Sequence, residues 1–223
     1  MPQQISKKIL VYLFFFIIFG SLNNKNLSNI KLPMITLIKV TGIEEDNNFS
    51  KNKILEFFEL KNLFFLNKSE IKKLIDSNNI VEKYSVFKKY LSTIEINIIK
   101  TNFLAYVNID GIKYFVGTNE KLIEAEEEIK NIASIFGDFN SQEFFRLKTI
   151  IDYSNFDYND IENLIFFPSG RWDIQTKSGI LIRLPKEKIK ESLNFSLSIL
   201  LDDKTKNAKL IDLRQRNQVI LNE

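Results

Sequence analysis

An apolar run near the N-terminus constrains this chain more than any other stretch of its sequence. Ile9–Leu22 reads ILVYLFFFIIFGSL, and no charged residue occurs between Lys8 and Lys25. The run is short for a helix that crosses about 30 Å of hydrocarbon, and its length is close to the apolar part of a signal peptide. It lacks the pair of small residues, at the required spacing, that signal peptidase reads. We therefore expect an uncleaved membrane anchor, with a cleaved signal and a buried core helix as the alternatives.

The basic excess of the chain lies around this run. Residues 1–33 contain four lysines and no acidic residue, whereas residues 105–223 contain sixteen basic and nineteen acidic residues. A basic patch for nucleic acid is therefore not predicted in the bulk of the chain. Lys7 and Lys8 precede the apolar run directly, so the positive-inside rule predicts a cytoplasmic N-terminus. The remainder of the chain is then expected on the other side of the membrane.

Residue types that dominate catalysis and metal binding are missing. The sequence contains no Cys and no His, which excludes disulfides, thiolate metal sites and a histidine base. Ser50 and Lys53 have the S-x-x-K spacing of a serine–lysine pair, but they lie on a short predicted helix without supporting motifs. A glycine-rich phosphate loop is also missing. We expect a protein that is not an enzyme and that has no cofactor and no metal.

Residues 34–104 predict a small unit with the order β-α-α-β-β. Thr41 and Gly42 close its first strand, and the isoleucines of its last strand alternate with polar residues, as in a half-buried strand. The predicted elements are strand Met34–Val40, a helix capped by Ser50, a helix capped by Asn67, and strands Val81–Lys89 and Thr93–Lys100.

Residues 105–223 predict a mixed, mostly antiparallel β unit with flanking helices. Asp110 and Gly111 are a hairpin signal between two β-branched stretches, and Pro185 is placed to begin a helix. The predicted helices are Lys121–Ile135, one capped by Ser141, and one starting at Pro185. The predicted strands include Ile161–Phe167, Arg171–Thr176, Ile180–Leu184, Lys209–Leu213 and Gln218–Leu221. The fold class is therefore α+β, behind a transmembrane helix.

Two sets of motifs carry resemblances to known families. The first set resembles a POTRA domain: Val40-Thr41-Gly42 at the end of a strand, Asn-Ile-Val-Glu-Lys at 79–83, and Val-Phe-Lys-Lys-Tyr at 86–90. The second set is similar to the FtsQ/DivIB cell division family, whose pattern is R-R-W-D-L, then G, then L-P, then D-L-R. Its members here are Arg171-Trp172-Asp173, Gly179, Leu184-Pro185 and Asp212-Leu213-Arg214, with Gly170 in place of the first arginine.

The resemblance implies a single-pass inner-membrane protein of the bacterial division septum. The implied parts are a cytoplasmic N-terminus (1–8), a transmembrane helix (9–22), a spacer (23–33), a POTRA domain (34–104) and an FtsQ-type β domain (105–223), the last two in the periplasm. It implies a non-enzymatic scaffold that binds FtsB- and FtsL-like single-span coiled-coil proteins and links early and late septation proteins. A small-molecule substrate is not expected. The alternative is an anchored POTRA chaperone or secretion component that binds extended client segments.

The resemblance also implies a partner-binding edge at the final strands. Strands at a sheet edge present unpaired N–H and C=O groups, which another chain can extend. The implied edge residues are Ile211, Asp212, Leu213, Arg214, Gln218, Val219, Ile220 and Leu221. The other motif residues are expected to be structural: Arg171, Trp172, Asp173, Gly179, Leu184 and Pro185. Of these, Trp172 is expected in the core, and Arg171 is expected to pair with Asp173 or Asp212.

Two phenylalanine pairs have more than one interpretation. Phe57-Phe58 and Phe64-Phe65 are compatible with contact to a membrane surface and with packing in the core of the small unit. We predict core packing for both pairs.

Overall fold

The chain forms an apolar N-terminal helix and two separate β-sheets. This computed structural model describes residues 7–22, 33–43, 51–59, 61–90, 92–125, 131–202, 205, 208–215 and 218–222. The cap predicted at Ser50, most of the predicted cytoplasmic segment and most of the predicted spacer lie outside the described residues.

Helix α1 spans Lys7–Leu22 and covers the apolar run. Its side chains from Lys7 to Ser21 are exposed except for the half-buried Ile18, and none belongs to either hydrophobic cluster of the described chain. Sixteen residues of α-helix are about 24 Å long. Among the described residues, no helix combines the length and the apolar character that a membrane crossing requires.

A three-stranded sheet follows, with two helices packed against it. Its order is β1-β3-β2, where β1 is parallel to β3 and β2 is antiparallel to β3. The elements occur in the predicted β-α-α-β-β order: β1 Leu37–Thr41, α2 Lys51–Phe58, α3 Lys68–Asp76, β2 Val81–Lys89 and β3 Thr93–Lys100. The alternating isoleucines Ile94, Ile96 and Ile98 are buried and form the centre of its core with Ile54, Phe58 and Ile75.

Gly42 shows why the first strand ends where it does. Its φ is +89°, a left-handed conformation that residues with a side chain rarely adopt. A Cβ at this position would lie 1.9 Å from the carbonyl oxygen of Ile98 on the neighbouring strand. The glycine of the Val40-Thr41-Gly42 motif therefore lets the backbone of the first strand approach β3 closely and turn away.

The larger sheet has nine strands in the order β12-β11-β10-β9-β8-β7-β4-β5-β6. Five of the eight strand pairs are antiparallel, which confirms the predicted mixed sheet. Its core also holds α4 and α5, through Phe144, Leu147 and Leu193. The elements are β4 Phe103–Ile109, β5 Ile112–Gly117, β6 Leu122–Glu124, β7 Ala133–Phe136, α4 Ser141–Asp152, β8 Ile161–Phe167, β9 Arg171–Thr176, β10 Leu181–Arg183, α5 Ile189–Leu201, β11 Leu210–Asp212 and β12 Ile220–Asn222.

The helix predicted over 121–135 is wrong. The structure has two strands in this segment, β6 and β7, and residues 126–130 lie outside the described part. The acidic and aliphatic composition favoured a helix. Pairing of β6 with the neighbouring strand β5, and long-range pairing of β7 with β4 and β8, determine the conformation instead.

Two predicted helix starts are also displaced. The N-cap of α4 is Asn140, whose side chain accepts a hydrogen bond from the Glu143 N–H at 2.9 Å, and Ser141 is the first helical residue. Helix α5 begins at Ile189 rather than Pro185, because Lys188 adopts a left-handed conformation with φ +58°. Pro185 therefore lies in the connection between β10 and α5.

Polar contacts join the two sheets near Thr101. The Glu82 carboxylate of β2 accepts hydrogen bonds from the hydroxyls of Thr101 and Thr118, at 3.0 and 2.9 Å. The Asn119 side chain donates to the Val81 carbonyl at 3.0 Å, and Thr101 is only 3% exposed. This junction lies at the end of the small sheet that is opposite to the start of β1.

Candidate functional site

The charged motif residues meet on three neighbouring strands of the large sheet. Strand β10 lies between β9 and β11, and the register places Arg183 opposite Asp173 on one side and opposite Asp212 on the other. The Arg183 guanidinium is 3.9 Å from the Asp173 carboxylate and 3.6 Å from the Asp212 carboxylate. Arg171 and Arg214 lie at the two ends of this row of charges. We call the row the charge ladder: Arg171, Asp173, Arg183, Asp212 and Arg214.

The outer arginines make the shorter contacts. Arg171 Nε donates to Asp173 Oδ1 at 3.1 Å, which confirms the predicted pairing, and its guanidinium carbon lies 4.2 Å from the ring centre of Phe167. Arg214 Nε donates to both oxygens of Asp212, at 2.8 and 2.9 Å, and its backbone N–H also donates to Asp212. The motif residues on β9 and β11 are thus tied together through β10.

The two aspartates are buried but differ in their titration. Both carboxylates are about 95% buried, so their charges require the arginines as partners. Burial raises the pKa of Asp173, and the guanidiniums of Arg171, Arg183 and Arg214 oppose it only in part. The side-chain hydrogen bonds from Arg214 lower the pKa of Asp212 against the effect of burial. The direct contact of Arg214 with both oxygens of Asp212 explains why the pKa values of the two aspartates shift in opposite directions.

The expected burial of Trp172 in the core is confirmed, and Leu184 is buried beside it. Trp172 is 2% exposed, and its ring packs 4.8 Å from Phe166 and 6.2 Å from Phe139 between ring centres. Leu184 is fully buried, and its N–H donates to the Trp172 carbonyl at 3.2 Å. Gly179, with φ +85°, lies in the turn from β9 to β10.

At the C-terminal side of the large sheet, the edge strand is β12 and not β11. Strand β11 pairs with β10 on one side and with β12 on the other, so its backbone is paired on both sides. Ile211, Asp212 and Leu213 are buried, at 0, 4 and 7% exposure. These three residues were predicted at the partner-binding edge, and the structure instead places them in the interior of the sheet.

The second half of the predicted edge is accessible. Ile220 and Leu221 of β12 are 53 and 38% exposed, Gln218 is exposed, and Val219 is half-buried against the core. Arg214, with a side chain 40% exposed, points its guanidinium back to Asp212. The surface that the structure offers at this edge therefore consists of β12 together with Gln218 and Val219.

A groove of about 750 Å³ adjoins this edge. The first turns of α5 form one wall, and residues 213–215 with 218–219 line the other. Phe195 of α5, 49% exposed, contributes apolar surface, and Glu191 and Arg214 contribute charges of opposite sign. Neither Phe195 nor Arg183 was predicted as a site residue, because the exposure of Phe195 depends on tertiary packing and the role of Arg183 depends on strand register.

The opposite edge strand, β6, is covered in part by the small sheet unit. The Asn79 side chain donates to the Leu122 carbonyl at 2.9 Å, and Lys121 Nζ donates to the Asp76 carbonyl at 2.9 Å. A partner strand is thus less able to reach β6 than β12. In the described part of the chain, no cluster of three or more acidic side chains is placed to hold a metal ion.

Curated sequence relatives of the chain carry the names of cell division proteins. A Clostridium botulinum (strain Loch Maree) protein named cell division protein DivIB is 23% identical over 227 residues, which cover 93% of this chain and 86% of the relative. A Rickettsia bellii protein named cell division protein FtsQ is 24% identical over 186 residues, covering 79% of this chain and 68% of the relative.

A solved structure also matches part of the chain. It is the major extracytoplasmic domain of the trans isomer of DivIB from Geobacillus stearothermophilus, and the match has a TM-score of 0.36 at 11% identity. The match covers 49% of this chain and 98% of that domain. No family model matches the chain.

Proposed function

Because this chain belongs to the FtsQ/DivIB family of cell division proteins, as its motifs predicted and its relatives confirm, we propose that it is a non-enzymatic scaffold of the division machinery. Its role in cell division follows from the family. The scaffold role rests on a surface for another protein chain and on the lack of His and Cys for catalysis. We propose that its partners are FtsB- and FtsL-like single-span proteins.

The accessible edge of β12, next to a groove lined by both polar and apolar side chains, is the observation that carries this proposal. A partner strand that pairs with β12 would extend the nine-stranded sheet through backbone hydrogen bonds, and side chains such as Ile220 give such pairing specificity. The groove beside Phe195 is large enough for apolar side chains of the same partner. Glu191 and Arg214 at the groove provide charges for orienting a partner with both signs.

The charge ladder gives this edge a rigid base. Strand β12 is short and pairs only with β11 within the described chain, and β11 is held to β10 by three residue pairs and by the Arg183 contacts. A buried ion-pair network fixes the register of neighbouring strands because an alternative register would leave buried charges unpaired. We assign to Arg171, Asp173, Arg183, Asp212 and Arg214 the task of holding β11 in place under the partner-binding strand.

We further propose that α1 holds the protein in the inner membrane. The support is that α1 begins with two lysines, is apolar on all faces beyond them and exposes nearly every side chain. An apolar helix of about 24 Å approaches the thickness of a thin bilayer, and lipids adapt to such a mismatch at a modest cost. The N-terminus then lies in the cytoplasm and both sheets lie in the periplasm.

The small sheet unit is proposed to be a POTRA domain spanning residues 34–104, and the large sheet unit to be an FtsQ-type β domain spanning 105–223. The β-α-α-β-β order of the small sheet unit and its tight turn at Gly42 support the POTRA assignment. The edge strand β2, nine residues long, favours client binding as a second candidate function. The division-protein relatives favour the scaffold.

Site-specific crosslinking in the source bacterium tests the scaffold proposal. A photoreactive amino acid is placed at Leu221 or Phe195 of the full chain, and the crosslinked proteins are identified by mass spectrometry. Phe136, which is 53% exposed on β7, gives a matched control position at another part of the same sheet. We expect both test positions, and not Phe136, to capture a single-span division protein.

Three outcomes contradict the proposal in different ways. Capture at Phe136 alone moves the partner surface away from β12. Capture of secreted client proteins, distributed around the whole envelope, favours the chaperone function. A fluorescent fusion that never gathers at midcell argues against a septal scaffold.

A further inference from the structure

Four large apolar side chains are exposed together at one end of the small sheet. Met34, Phe64, Phe65 and Tyr90 are 55, 48, 80 and 69% exposed, and we call them the entry patch. The rings of Phe64 and Tyr90 lie 5.5 Å apart between centres, and Met34 forms a β-bridge with Asn62. Core packing was predicted for both phenylalanine pairs; it holds for Phe57-Phe58, and it is wrong for Phe64-Phe65.

The backbone around the patch holds these rings outward. The Asn62 side chain accepts a hydrogen bond from the Phe64 N–H at 2.9 Å, and the Asn62 carbonyl accepts one from the Phe65 N–H at 3.2 Å. The Ile35 N–H donates to the Lys61 carbonyl at 2.9 Å, which ties this turn to the start of β1. Exposed apolar side chains that are fixed in one cluster mark a surface that contacts something other than water.

The patch lies at the end of the small sheet where the chain arrives from α1. Residues 23–32 alone separate Leu22 from Pro33, so the end of α1 and the start of the patch are at most about 40 Å apart, even for a fully extended chain. The junction near Thr101 lies at the other end of β3, about 27 Å away. The patch is therefore at the end of the sheet that is tethered to α1.

We propose that the entry patch inserts into the headgroup region of the bilayer that holds α1. This inference rests on the proposed membrane anchor. Aromatic rings are favoured at the boundary between headgroups and hydrocarbon, and Met adds flexible apolar contact. The segments 61–65 and 87–92 contain Lys61, Lys88 and Lys89 and no acidic residue, which suits an anionic lipid surface. Two of these lysines also pair with glutamates, Lys61 with Glu70 and Lys89 with Glu95.

The consequence is a fixed orientation of the small sheet on the membrane. With α1 as the only attachment, the sheet has no second contact that fixes its angle to the membrane. With the patch inserted, the axis of β3 makes a steep angle with the membrane plane. The junction near Thr101 then directs the large sheet away from the membrane.

Depth-dependent fluorescence quenching on the full chain tests this inference. The chain has no cysteine, so single cysteines label selectively with the environment-sensitive dye NBD. The test variant is Phe65→Cys. The control is Tyr153→Cys, an equally exposed aromatic position (73%) at the end of α4, and Phe16→Cys reports on α1 itself. Each protein is reconstituted into phosphatidylethanolamine–phosphatidylglycerol vesicles with and without brominated lipid.

The expected result is a blue-shifted label at Phe65→Cys that brominated lipid quenches, with the Tyr153→Cys label unshifted and unquenched. Adding Met34→Ser and Phe64→Ser should reduce the quenching at position 65. If the labels at 65 and 153 behave alike while the label at 16 is quenched, the patch inference is overturned and the anchor stands. If the label at 16 is not quenched, the anchor itself fails. If position 65 is shielded only after division partners are added and is never quenched, the patch binds protein, which also overturns the inference.

Discussion

Replacing Ile211 by alanine tests the position of β11 within the sheet. Ile211 is fully buried, opposite Ile182 on β10 and opposite Leu221 on β12. The substitution removes three carbon atoms, at about 0.8 kcal/mol each, and the residual cavity brings the loss of unfolding free energy to about 2–5 kcal/mol. Ile220→Ala removes the same atoms from a side chain that is 53% exposed, and it should cost less than about 1 kcal/mol.

Urea unfolding of the full chain in mild detergent measures this difference. Trp172 is the only tryptophan and belongs to the same hydrophobic cluster as Ile211, so its emission reports unfolding of the large sheet. With a urea dependence of about 2 kcal/mol per M, Ile211→Ala should lower the midpoint by about 1–2.5 M. Equal midpoints for the two variants would refute the burial of β11, and would return Ile211 to the partner-binding edge.

Three further predictions concern the turn after β1 and the charge ladder. Gly42→Ala should destabilise the small sheet by about 1–3 kcal/mol, because of the left-handed backbone and the contact with the Ile98 carbonyl; protection of the β3 amides from hydrogen exchange measures it. Asp212 has a lowered pKa, so its stabilising contribution is complete above the unfolded value near 4 and is lost as the pH falls below it. Asp212→Asn should therefore show a smaller loss of stability on acidification, seen in thermal melts from pH 7 to 3. Asp173 has a raised pKa, so the folded protein loses stability as the pH rises above about 4 towards that value, and Asp173→Asn should remove this decline from the same melts. Wild-type pH profiles in both variants would contradict the assignments.

Much of the local structure could be predicted from the sequence. The bounds of β2, β3, β8 and β9 agree with the predicted strands, because each is a regular stretch of β-branched and aromatic residues between turn signals. The hairpin at Asp110-Gly111 is confirmed, with φ of +52° and +85° at the two residues. The prediction for segment 121–135 is wrong because its composition favours a helix, whereas β6 pairs with the neighbouring strand β5 and β7 pairs with β4 and β8, which are distant in sequence.

The candidate site likewise contains one contact that the sequence predicted and one that only the tertiary structure shows. Arg171 and Asp173, two residues apart on one strand, lie on one face of any sheet, so their pairing followed from sequence spacing. The link to Asp212 through Arg183 did not, because it requires the particular register of three strands that are joined by a turn and a helical crossover.

By itself, the sequence determined the apolar helix, the β-α-α-β-β order of the small unit and the resemblance to the FtsQ/DivIB family, since these depend on local pattern and on motifs in a fixed order. The tertiary structure alone decided which strand is the edge. Ile211 and Ile220 are the same residue type in two short terminal strands, yet one is buried between two strands and the other faces outward. The same holds for Phe58 and Phe65, one in the core and one in the entry patch. Burial depends on which elements pack on a residue from elsewhere in the chain, and a local pattern contains no information about those neighbours.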